Sequence, residues 1–356
     1  MAQTFSGKNV LVTGNTGFKG TWLTIWLKQL GANVFGYSNT KKTQPSMFED
    51  LEIEKGISQI HGDIGDRESL LKAINNAKPD FIFHLAAQSL VSESYANPLE
   101  TIRTNSVGTA TLLDVMVELQ FSGVAVMITS DKCYENDERK AGYRETDRLG
   151  GRDPYSASKA GAEIFLSTYI RSFLNDAAKQ RIGIARAGNV IGGGDWNPNR
   201  IVVDCVKAWI DNSEVSLRNP EATRPWQHVL EPLSGYLRLA QSLTINPKIH
   251  GEAFNFGPDN SSVYTVREIV DKLGKYWGHD DVSNHVKLAG EKIMHEASLL
   301  SLNCEKAAQE LFWSPRLNID ECLQLVADWY LQYKNHPEKL FELTLQQISY
   351  YESKDK

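Results

Sequence analysis

Short apolar runs alternate with longer amphipathic stretches through the first half of the chain, and this rhythm limits the possible fold more than any other feature. The runs are rich in Val, Ile and Phe and do not alternate with polar residues, which is typical of strands buried on both faces. Strands separated by helices predict βαβ units, which build a parallel sheet covered on both sides. The predicted strands are NVLVT (9–13), NVFGY (33–37), SQIHG (58–62), FIFHLAA (81–87), VAVMITS (124–130) and IGIARAG (182–188).

After about residue 190 the rhythm changes. Gly, Asp, Trp, Asn and Pro crowd into GGGDWNPNR (192–200), and the helical patterns near 263–277 and 317–333 are not tied to a regular strand repeat. We therefore predict an α/β chain with a Rossmann-like, doubly wound parallel sheet over residues 1–190. A smaller, mixed α/β substrate domain over residues 191–356 should follow, with the chain crossing back to the first domain.

Composition and charge exclude several classes of protein. The chain has 38 Lys and Arg against 44 Asp and Glu, and this acidic balance argues against binding to a nucleic-acid backbone. No apolar run reaches the roughly 18 residues of a membrane helix, and the N-terminus lacks the pattern of a secretory signal. The four cysteines lie far apart, which predicts neither a disulfide framework nor a metal site. We therefore expect a cytoplasmic protein that binds no metal, no membrane and no nucleic acid.

The first predicted strand runs into the glycine-rich segment TGNTGFKG, which is followed at once by a helical pattern. Gly14 permits a tight turn, Gly17 lets the backbone approach a pyrophosphate, and Gly20 allows the helix to pack closely. A strand, a glycine turn and a helix N-terminus together form an anion site. The predicted cofactor contacts in this loop are Gly14, Thr16, Gly17, Phe18, Lys19 and Gly20.

The second strand lacks the acidic residue that usually binds the ribose of NAD, and GYSNTKK instead carries Lys41 and Lys42. Basic residues suit the extra phosphate of NADP, so this region leaves the choice of cofactor open. Asp63 follows the third strand at a position suited to the adenine, although it could equally cap the next helix. The predicted cofactor contacts beyond the glycine loop are Asp63, Ile64, Leu85, Ala86 and Ala87.

Tyr155 and Lys159 form a Tyr-x-x-x-Lys pair at the start of a helical pattern that Pro154 opens. The spacing of four places both side chains on one helical face. A phenol has a pKa of about 10, and a neighbouring ammonium lowers that pKa by favouring the phenolate. The pair could therefore abstract a proton from a hydroxyl group, although spacing alone fits an exposed Tyr and Lys more often.

The fifth strand ends in MITSDKCY, which places a hydroxyl, a carboxylate and an amine at the carboxyl edge of the sheet. Ligands bind in crevices beyond this edge in doubly wound sheets. Such groups converging on the Tyr/Lys pair are typical of a catalytic site rather than of a core. The predicted catalytic residues are Ser130, Asp131, Lys132, Tyr155 and Lys159, of which Tyr155 and Lys159 should also contact the cofactor.

Longer strings resemble the extended short-chain dehydrogenase/reductases that act on nucleotide sugars. The resemblance covers nearly the whole chain, from TGNTGFKG through FHLAAQ, TSDK and YSASK to CEKAAQELFWSP. More specific strings are similar to one branch of that family, the CDP-glucose 4,6-dehydratases, which serve deoxysugar biosynthesis. These strings are TGFKG, TSDKCYEN, AGNVIGGGDWNPNRI and RPWQHVLEPLSGYL.

The resemblance implies an internal redox cycle on NAD. Tyr155, assisted by Lys159 and Ser130, would take the proton of the C4 hydroxyl while NAD+ accepts the C4 hydride. Asp131 would be the acid at the departing C6 hydroxyl, and Lys132 would be the base at C5. Lys132 could instead pair with Asp131 or contact a substrate phosphate. The product would be a 4-keto-6-deoxy sugar nucleotide, with NAD+ regenerated.

The resemblance also implies the substrate and the assembly. CDP-glucose would be bound by Gln88, Asn189, Arg200, Arg224 and His228, with the fork of donors of Arg224 suited to a pyrophosphate. The chain would form a homodimer or higher homo-oligomer, paired through the helices at 100–119 and 155–174.

Three other functions stay open. The identity of the nucleotide base rests on the resemblance alone, so the chain could be another nucleotide-sugar 4,6-dehydratase. A nucleotide-sugar 4-epimerase would need only Tyr155, Lys159 and Ser130, and a non-catalytic NAD-binding scaffold would need only the glycine loop. The Asp131-Lys132 pair favours elimination over epimerisation.

Overall fold

The computed structural model of the chain describes residues 1–39, 43–139, 141–259, 263–288 and 300–354. Lys41 and Lys42, which bear on the choice between NAD and NADP, lie outside the described residues. No helix among the described residues is long and apolar enough to cross a membrane.

The main sheet contains the six strands expected from the sequence and one strand from the second half of the chain. Its strands are β1 (Asn9–Thr13), β2 (Asn33–Ser38), β3 (Ser58–His61), β4 (Phe81–His84), β5 (Gly123–Ile128), β6 (Gln180–Ala187) and β11 (Ala253–Phe256). The shorter strands outside this sheet are β7 (Val190–Ile191), β8 (Val215–Leu217), β9 (Thr223–Pro225), β10 (Gln227–His228), β12 (Val263–Thr265) and β13 (Val286–Leu288).

Within the described residues, the seven strands of the main sheet are ordered β3–β2–β1–β4–β5–β6–β11, and every neighbouring pair is parallel. The order reverses between β1 and β4, and this is the switch point beyond which such sheets bind nucleotides. The predicted α/β, doubly wound parallel sheet is confirmed. The seventh strand, β11, pairs with β6, so a segment from the second half of the chain completes the sheet.

Helices cover both faces of the sheet. On one face α4, α7 and α8 bury Leu70, Leu112 and Leu166 against Leu11 and Ile82 of the strands. On the other face, α2 and α10 pack against the opposite side chains of the same strands. The helices are α1 (Ala2–Phe5), α2 (Phe18–Gln29), α3 (Met47–Asp50), α4 (Arg67–Ala77), α5 (Val91–Ala96), α6 (Pro98–Ile102), α7 (Gly108–Glu118), α8 (Pro154–Ser172), α9 (Ile201–Ile210), α10 (Leu230–Ile245), α11 (Val266–Trp277), α12 (Glu305–Leu311), α13 (Ile319–Asn335) and α14 (Leu340–Ser353). A π-helical turn over Arg103–Val107 joins α6 to α7.

Small strand pairs organise the second half of the chain. Strand β7 pairs with β10 in parallel, β8 pairs with β13 in parallel, and β9 pairs with β12 in antiparallel register. These pairs bring the segments around residues 189–204 and 216–226 to the carboxyl edge of the main sheet, where they face the loops that follow β1, β4 and β5.

Candidate active site

A cavity of about 850 Å³ lies at the carboxyl edge of the sheet. This volume is in the range of pockets that enclose a substantial ligand. The loops after β1 through β6 form one side of the cavity, and the segments around residues 189–204 and 216–226 form the other. The predicted site residues that line it are Gly14, Thr16, Gly17, Phe18, Lys19, Gly20, Asp63, Ile64, Leu85, Ala86, Ala87, Ser130, Asp131, Lys132, Tyr155, Lys159, Asn189, Arg200 and Arg224.

The glycine loop has the geometry of an anion cradle. Gly14 has a φ of +71°, and a Cβ there would lie 2.7 Å from the backbone of Ala86. A Cβ on Gly20 would lie 2.1 Å from the carbonyl oxygen of Gly14, so the helix can approach only without a side chain. Gly17 differs, because a Cβ there would meet protein atoms only at 3.4 Å and would occupy the cavity instead. Helix α2 begins beside Gly17 without a side-chain cap, so its first amides remain for an anion.

The loop after β3 lies at the cavity wall, where the sequence predicts contacts to the cofactor. Asp63 and Ile64 line the cavity there, and Asp63 Oδ1 accepts a hydrogen bond of 2.8 Å from the amide of Gly65. The cap of α4 is Asp66, which accepts from the amide of Ser69 at 3.1 Å. The alternative assignment of Asp63 as a helix cap is therefore wrong.

Ser130 connects the residues at the end of β5 to helix α8. Its hydroxyl donates to Asp131 Oδ1 at 2.9 Å and accepts from the amide of Lys132 at 3.2 Å. The Tyr155 phenol of helix α8 lies near the same hydroxyl, which acts to lower its pKa. Helix α8 is fixed at its start by Asp153, which accepts from the amide of Ser156 at 2.9 Å. This cap sets the first turns of α8, which carry Tyr155 and Lys159 into the cavity.

Burial dominates the protonation of this cluster. Loss of solvent raises the pKa of the Asp131 carboxyl, and the nearby Lys132, Ser130 and Lys19 offset part of that rise. Burial also lowers the pKa of Lys159 to about 8. A buried carboxyl with a raised pKa is suited to donate a proton.

The pKa of Tyr155 departs from the sequence-based expectation. Burial raises this pKa to about 12, although the nearby Ser130 hydroxyl and the charge of Arg200 act in the opposite direction. The expectation that Lys159 would bring this pKa below its ordinary value is therefore not met, because desolvation of the phenolate outweighs the nearby cations.

Lys19, predicted only as a cofactor contact, also belongs electrostatically to the catalytic cluster. Burial lowers the pKa of its ammonium to about 8, and Arg200 and Lys159 lower it while Asp131 and Asp195 raise it. Its position near the start of α2 brings a third amine into the cavity, in addition to those of Lys132 and Lys159.

The second half of the chain contributes cationic groups to the cavity wall. Arg200 is held by Asp195, with 2.6 Å between Nη1 and Oδ2. Arg224 donates from Nη1 to the carbonyl oxygen of Thr223 at 2.8 Å. Asn189 lies between β6 and β7 on the same wall.

Two predicted substrate contacts do not lie among the described residues that line the cavity. The Gln88 carboxamide donates to the carbonyl oxygen of Leu90 at 3.0 Å and to Thr101 Oγ1 at 2.9 Å, so it stabilises the loop behind the wall. His228 is fully buried, and its ring packs edge-on against Trp22 at 6.0 Å. Burial lowers the pKa of His228 to about 3, so the ring is a neutral core residue.

The sequence did not single out several other residues of the wall. Asp195 holds Arg200, Arg218 adds a half-exposed guanidinium, and Tyr95 closes the side formed by α5. Asp195 lies within GGGDWNPNR, and the clustered turn residues of this segment are the sequence feature that indicates a loop there. For Arg218 and Tyr95 the sequence carries no local pattern that separates a cavity residue from a surface residue.

Comparisons with known proteins identify the family of the chain. Residues 11–326 match the model of the GDP-mannose 4,6 dehydratase family. The CDP-glucose 4,6-dehydratase of Salmonella typhimurium is 46% identical over 330 residues, which cover 92% of this chain and 91% of that protein.

Solved structures show the same fold. A dTDP-glucose 4,6-dehydratase from Streptomyces venezuelae, solved with NAD, has a TM-score of 0.78 and 25% identity, covering 93% of this chain and 99% of that one. A dTDP-glucose 4,6-dehydratase from Bacillus anthracis, also in complex with NAD, has a TM-score of 0.77 and 22% identity, covering 95% of this chain and 100% of that one.

Proposed function

The chain belongs to the GDP-mannose 4,6-dehydratase family, and from this premise we propose that it is an NAD-dependent hydro-lyase that converts CDP-glucose to CDP-4-keto-6-deoxyglucose and water. The observation that carries the proposal is the meeting of Asp131 and Lys132 with Ser130, Tyr155 and Lys159 in one cavity. The last three suffice to oxidise a hydroxyl, whereas loss of water needs a further acid and a further base. The choice of CDP over other nucleotides is supported by the 46% identical relative.

The described residues fit NAD as the cofactor. The open face of Gly17 and the uncapped amides of α2 suit its pyrophosphate, and Asp63 and Ile64 line the adenosine end. When bound, NAD takes the hydride from C4 of the sugar and later returns it to C6. The protein must therefore position the sugar, move protons at three of its atoms and exclude water from the intermediate.

The acid–base roles follow from chemistry and position. Tyr155 is proposed to take the proton of the C4 hydroxyl as the phenolate, with the Lys159 ammonium on the same helical face favouring that form against the rise in pKa that burial causes. Once C4 is a ketone, the C5 proton becomes acidic, and Lys132 is the base proposed to remove it. Asp131, whose pKa is raised by burial, protonates the departing C6 hydroxyl.

The region after residue 190 is proposed to hold the nucleotide sugar. Arg200, Arg218 and Arg224 line its side of the cavity, and they provide donors for the negatively charged pyrophosphate of the substrate. Arg200 is pre-positioned by Asp195, so less side-chain freedom is lost when the substrate binds.

We further propose that the protein is a homodimer. Helix α6, helix α8 with the residue that follows it, and the π-helical turn between α6 and α7 carry large apolar side chains that are between 39% and 59% exposed. In a monomer these side chains stay in contact with water. These side chains are Leu99, Ile102, Val107, Ile164, Phe165 and Phe173.

Turnover on a panel of nucleotide sugars tests the function. Purified protein with NAD should convert CDP-glucose to a product lighter by one water, in preference to dTDP-, UDP- and GDP-glucose, with no net build-up of NADH. Mass spectrometry of the sugar nucleotide and NMR at C6 measure this. Steady release of NADH, or a C4 epimer formed without loss of water, would contradict the proposal.

A further inference from the structure

Three consecutive glycines at residues 192–194 connect β7 to the substrate side of the cavity, and none of them has room for a side chain. A Cβ on the first would lie 3.0 Å from the ring of Phe18 at the start of α2. A Cβ on the second would lie 2.0 Å from the ring of Trp329 on α13. The third has a φ of +79°, and a Cβ there would lie 2.4 Å from the sulfur of Met47 on α3. The segment can therefore follow this path between three helices only without side chains.

Two buried side chains from distant parts of the chain donate hydrogen bonds to the carbonyl groups of the same segment. Trp22 on α2 donates from Nε1 to the carbonyl oxygen of Gly193 at 2.8 Å. Tyr330 on α13 donates its hydroxyl to the carbonyl oxygen of Asp195 at 2.6 Å. Both side chains are fully buried. Removal of either donor would leave a buried carbonyl group unpaired, so these hydrogen bonds favour one conformation of the segment.

The fixed backbone determines where the Asp195 carboxylate lies. Its Oδ1 accepts from the amide of Asn197 at 3.2 Å and from the side-chain nitrogen of the same residue at 2.6 Å. Its Oδ2 pairs with Arg200 Nη1 at 2.6 Å. The Asp195 side chain is 4% exposed and the Arg200 side chain is 30% exposed, so the carboxylate is buried while the guanidinium reaches the cavity. The position of the guanidinium is therefore set by the backbone that Trp22 and Tyr330 hold.

An ordered guanidinium reduces the cost of binding an anion. A guanidinium carries five N–H donors, and the contact with Asp195 uses one of them. Arg200 lines the cavity, so its other donors are placed to meet the oxygens of a diphosphate. Ordering a free arginine side chain on binding costs up to about 10-fold in affinity, and a side chain that is already ordered avoids this cost.

We propose that Tyr330 is a positioning residue for the pyrophosphate of the nucleotide sugar, acting through the backbone of residues 192–195 and through Asp195 on Arg200. This assignment rests on the function proposed above and adds a residue that does not itself touch the substrate. None of the residues of α13, all of which the structure describes, lines the cavity. Trp22 holds the same backbone from α2, the helix whose first amides suit the pyrophosphate of NAD. One short segment therefore fixes the substrate arginine relative to the cofactor helix.

Removal of the Tyr330 hydroxyl tests the proposal. Tyr330→Phe keeps the ring and removes the donor to the carbonyl oxygen of Asp195. With NAD present, we expect the Kd of CDP in calorimetry and the KM of CDP-glucose to rise about 10-fold, which corresponds to about 1.4 kcal/mol. The kcat should stay close to that of the wild type. Loss of folded protein would instead lower the active fraction, and with it kcat, and would leave KM unchanged.

The matched control is Tyr351→Phe. Tyr351 is also fully buried, and its hydroxyl also donates at 2.6 Å, to the carboxylate of Glu231 on α10. It does not line the cavity, so this variant should lose a similar amount of stability in thermal melting without a change in Kd or KM. An unchanged Kd in Tyr330→Phe, or an equal rise in both variants, overturns the proposal.

A double-mutant cycle with Arg200→Ala shows whether Tyr330 acts through the arginine. Arg200→Ala alone should weaken CDP binding, and Tyr330→Phe should then weaken it no further, because residues that act through one group are not additive. Equal effects of Tyr330→Phe in the two backgrounds overturn the proposal, and so does an unchanged affinity in Arg200→Ala. If Tyr330→Phe does not fold, Trp22→Phe removes the other donor to the segment, and the same cycle decides.

Binding of CDP separates this proposal from the proposed function. If the wild type forms the dehydrated product but Tyr330→Phe binds CDP as tightly as the wild type does, the positioning role alone is refuted. A wild type that binds CDP but forms no dehydrated product refutes the proposed function, and the cycle still decides the role of Tyr330. A wild type that binds no CDP refutes both.

Discussion

The buried ion pair between Glu163 and Arg186 supports the catalytic segment, and removing its anion should be costly. Arg186 binds both carboxylate oxygens of Glu163 at 2.8 Å, and the two side chains are only 5% and 2% exposed. Arg186 also donates to the Tyr134 phenol at 2.8 Å, and Thr129 donates to Glu163 at 2.5 Å. Breaking a buried pair while leaving one charge unpaired costs about 3–5 kcal/mol, because the remaining ion stays desolvated.

The variant Glu163→Gln keeps the volume of the side chain but removes its charge. We expect the free energy of unfolding to fall by about 3–5 kcal/mol, measured from denaturant curves with an unchanged slope. The matched control is Glu135→Gln, which breaks the exposed pair with Arg148, joined at 2.9 Å with the Arg side chain 84% exposed. Such a surface pair contributes about 1 kcal/mol or less. If both variants lost the same small amount, the argument from burial would be wrong.

The same variant should also change the pH profile of turnover. Glu163 follows Lys159 by one helical turn, and its charge raises the pKa of that ammonium, which burial has brought to about 8. Without Glu163 the Lys159 pKa falls further, so its stabilising charge beside Tyr155 is lost at a lower pH. We expect the alkaline limb of kcat to move to lower pH in Glu163→Gln. An alkaline limb that stays in place, or moves upward, would show that Glu163 does not act on Lys159.

Three further changes test the remaining parts of the site and assembly. Asp131→Asn should lower product formation by roughly 10²–10⁴-fold while NADH still forms in a single turnover, and unchanged turnover would remove Asp131 as the acid. Gly17→Ala should weaken NAD binding in calorimetry with little change in melting temperature, because the new Cβ meets protein atoms only at 3.4 Å but enters the anion cradle of the glycine loop. Unchanged affinity would exclude this cradle as the pyrophosphate site. Ile164→Arg should yield monomers in analytical ultracentrifugation, whereas the control Ile245→Arg, at an 80% exposed position on α10, should stay dimeric; a dimeric Ile164→Arg would place the interface elsewhere.

Local sequence patterns predicted the part of the fold in which neighbours in the chain are also neighbours in the sheet. Runs such as NVLVT and VAVMITS have no polar alternation because helices cover both of their faces. These parallel strands end at the same edge of the sheet, and this brings Ser130 and the glycine loop together. Strand β11 was not predicted as part of the sheet. Its four residues, AFNF, join β6 across more than sixty positions of chain, and a short run carries no signal for such a distant partner.

Two of the failures at the site, the placement of His228 and the pKa of Tyr155, have a common cause, which is that burial is not a local property of the sequence. Ala222, Arg224 and Trp226 alternate toward the cavity, and the same period would place His228 beside them. At that position β10 instead pairs with β7, so His228 enters the core against Trp22. Tyr155 was correctly expected at the cavity, but its pKa was expected to fall and instead rises. The spacing from Lys159 indicates a nearby cation, but it does not indicate how far the phenol is removed from water. Sequence motifs thus identified which chemical groups meet in this site, while their protonation depends on how completely the second half of the chain excludes water from them.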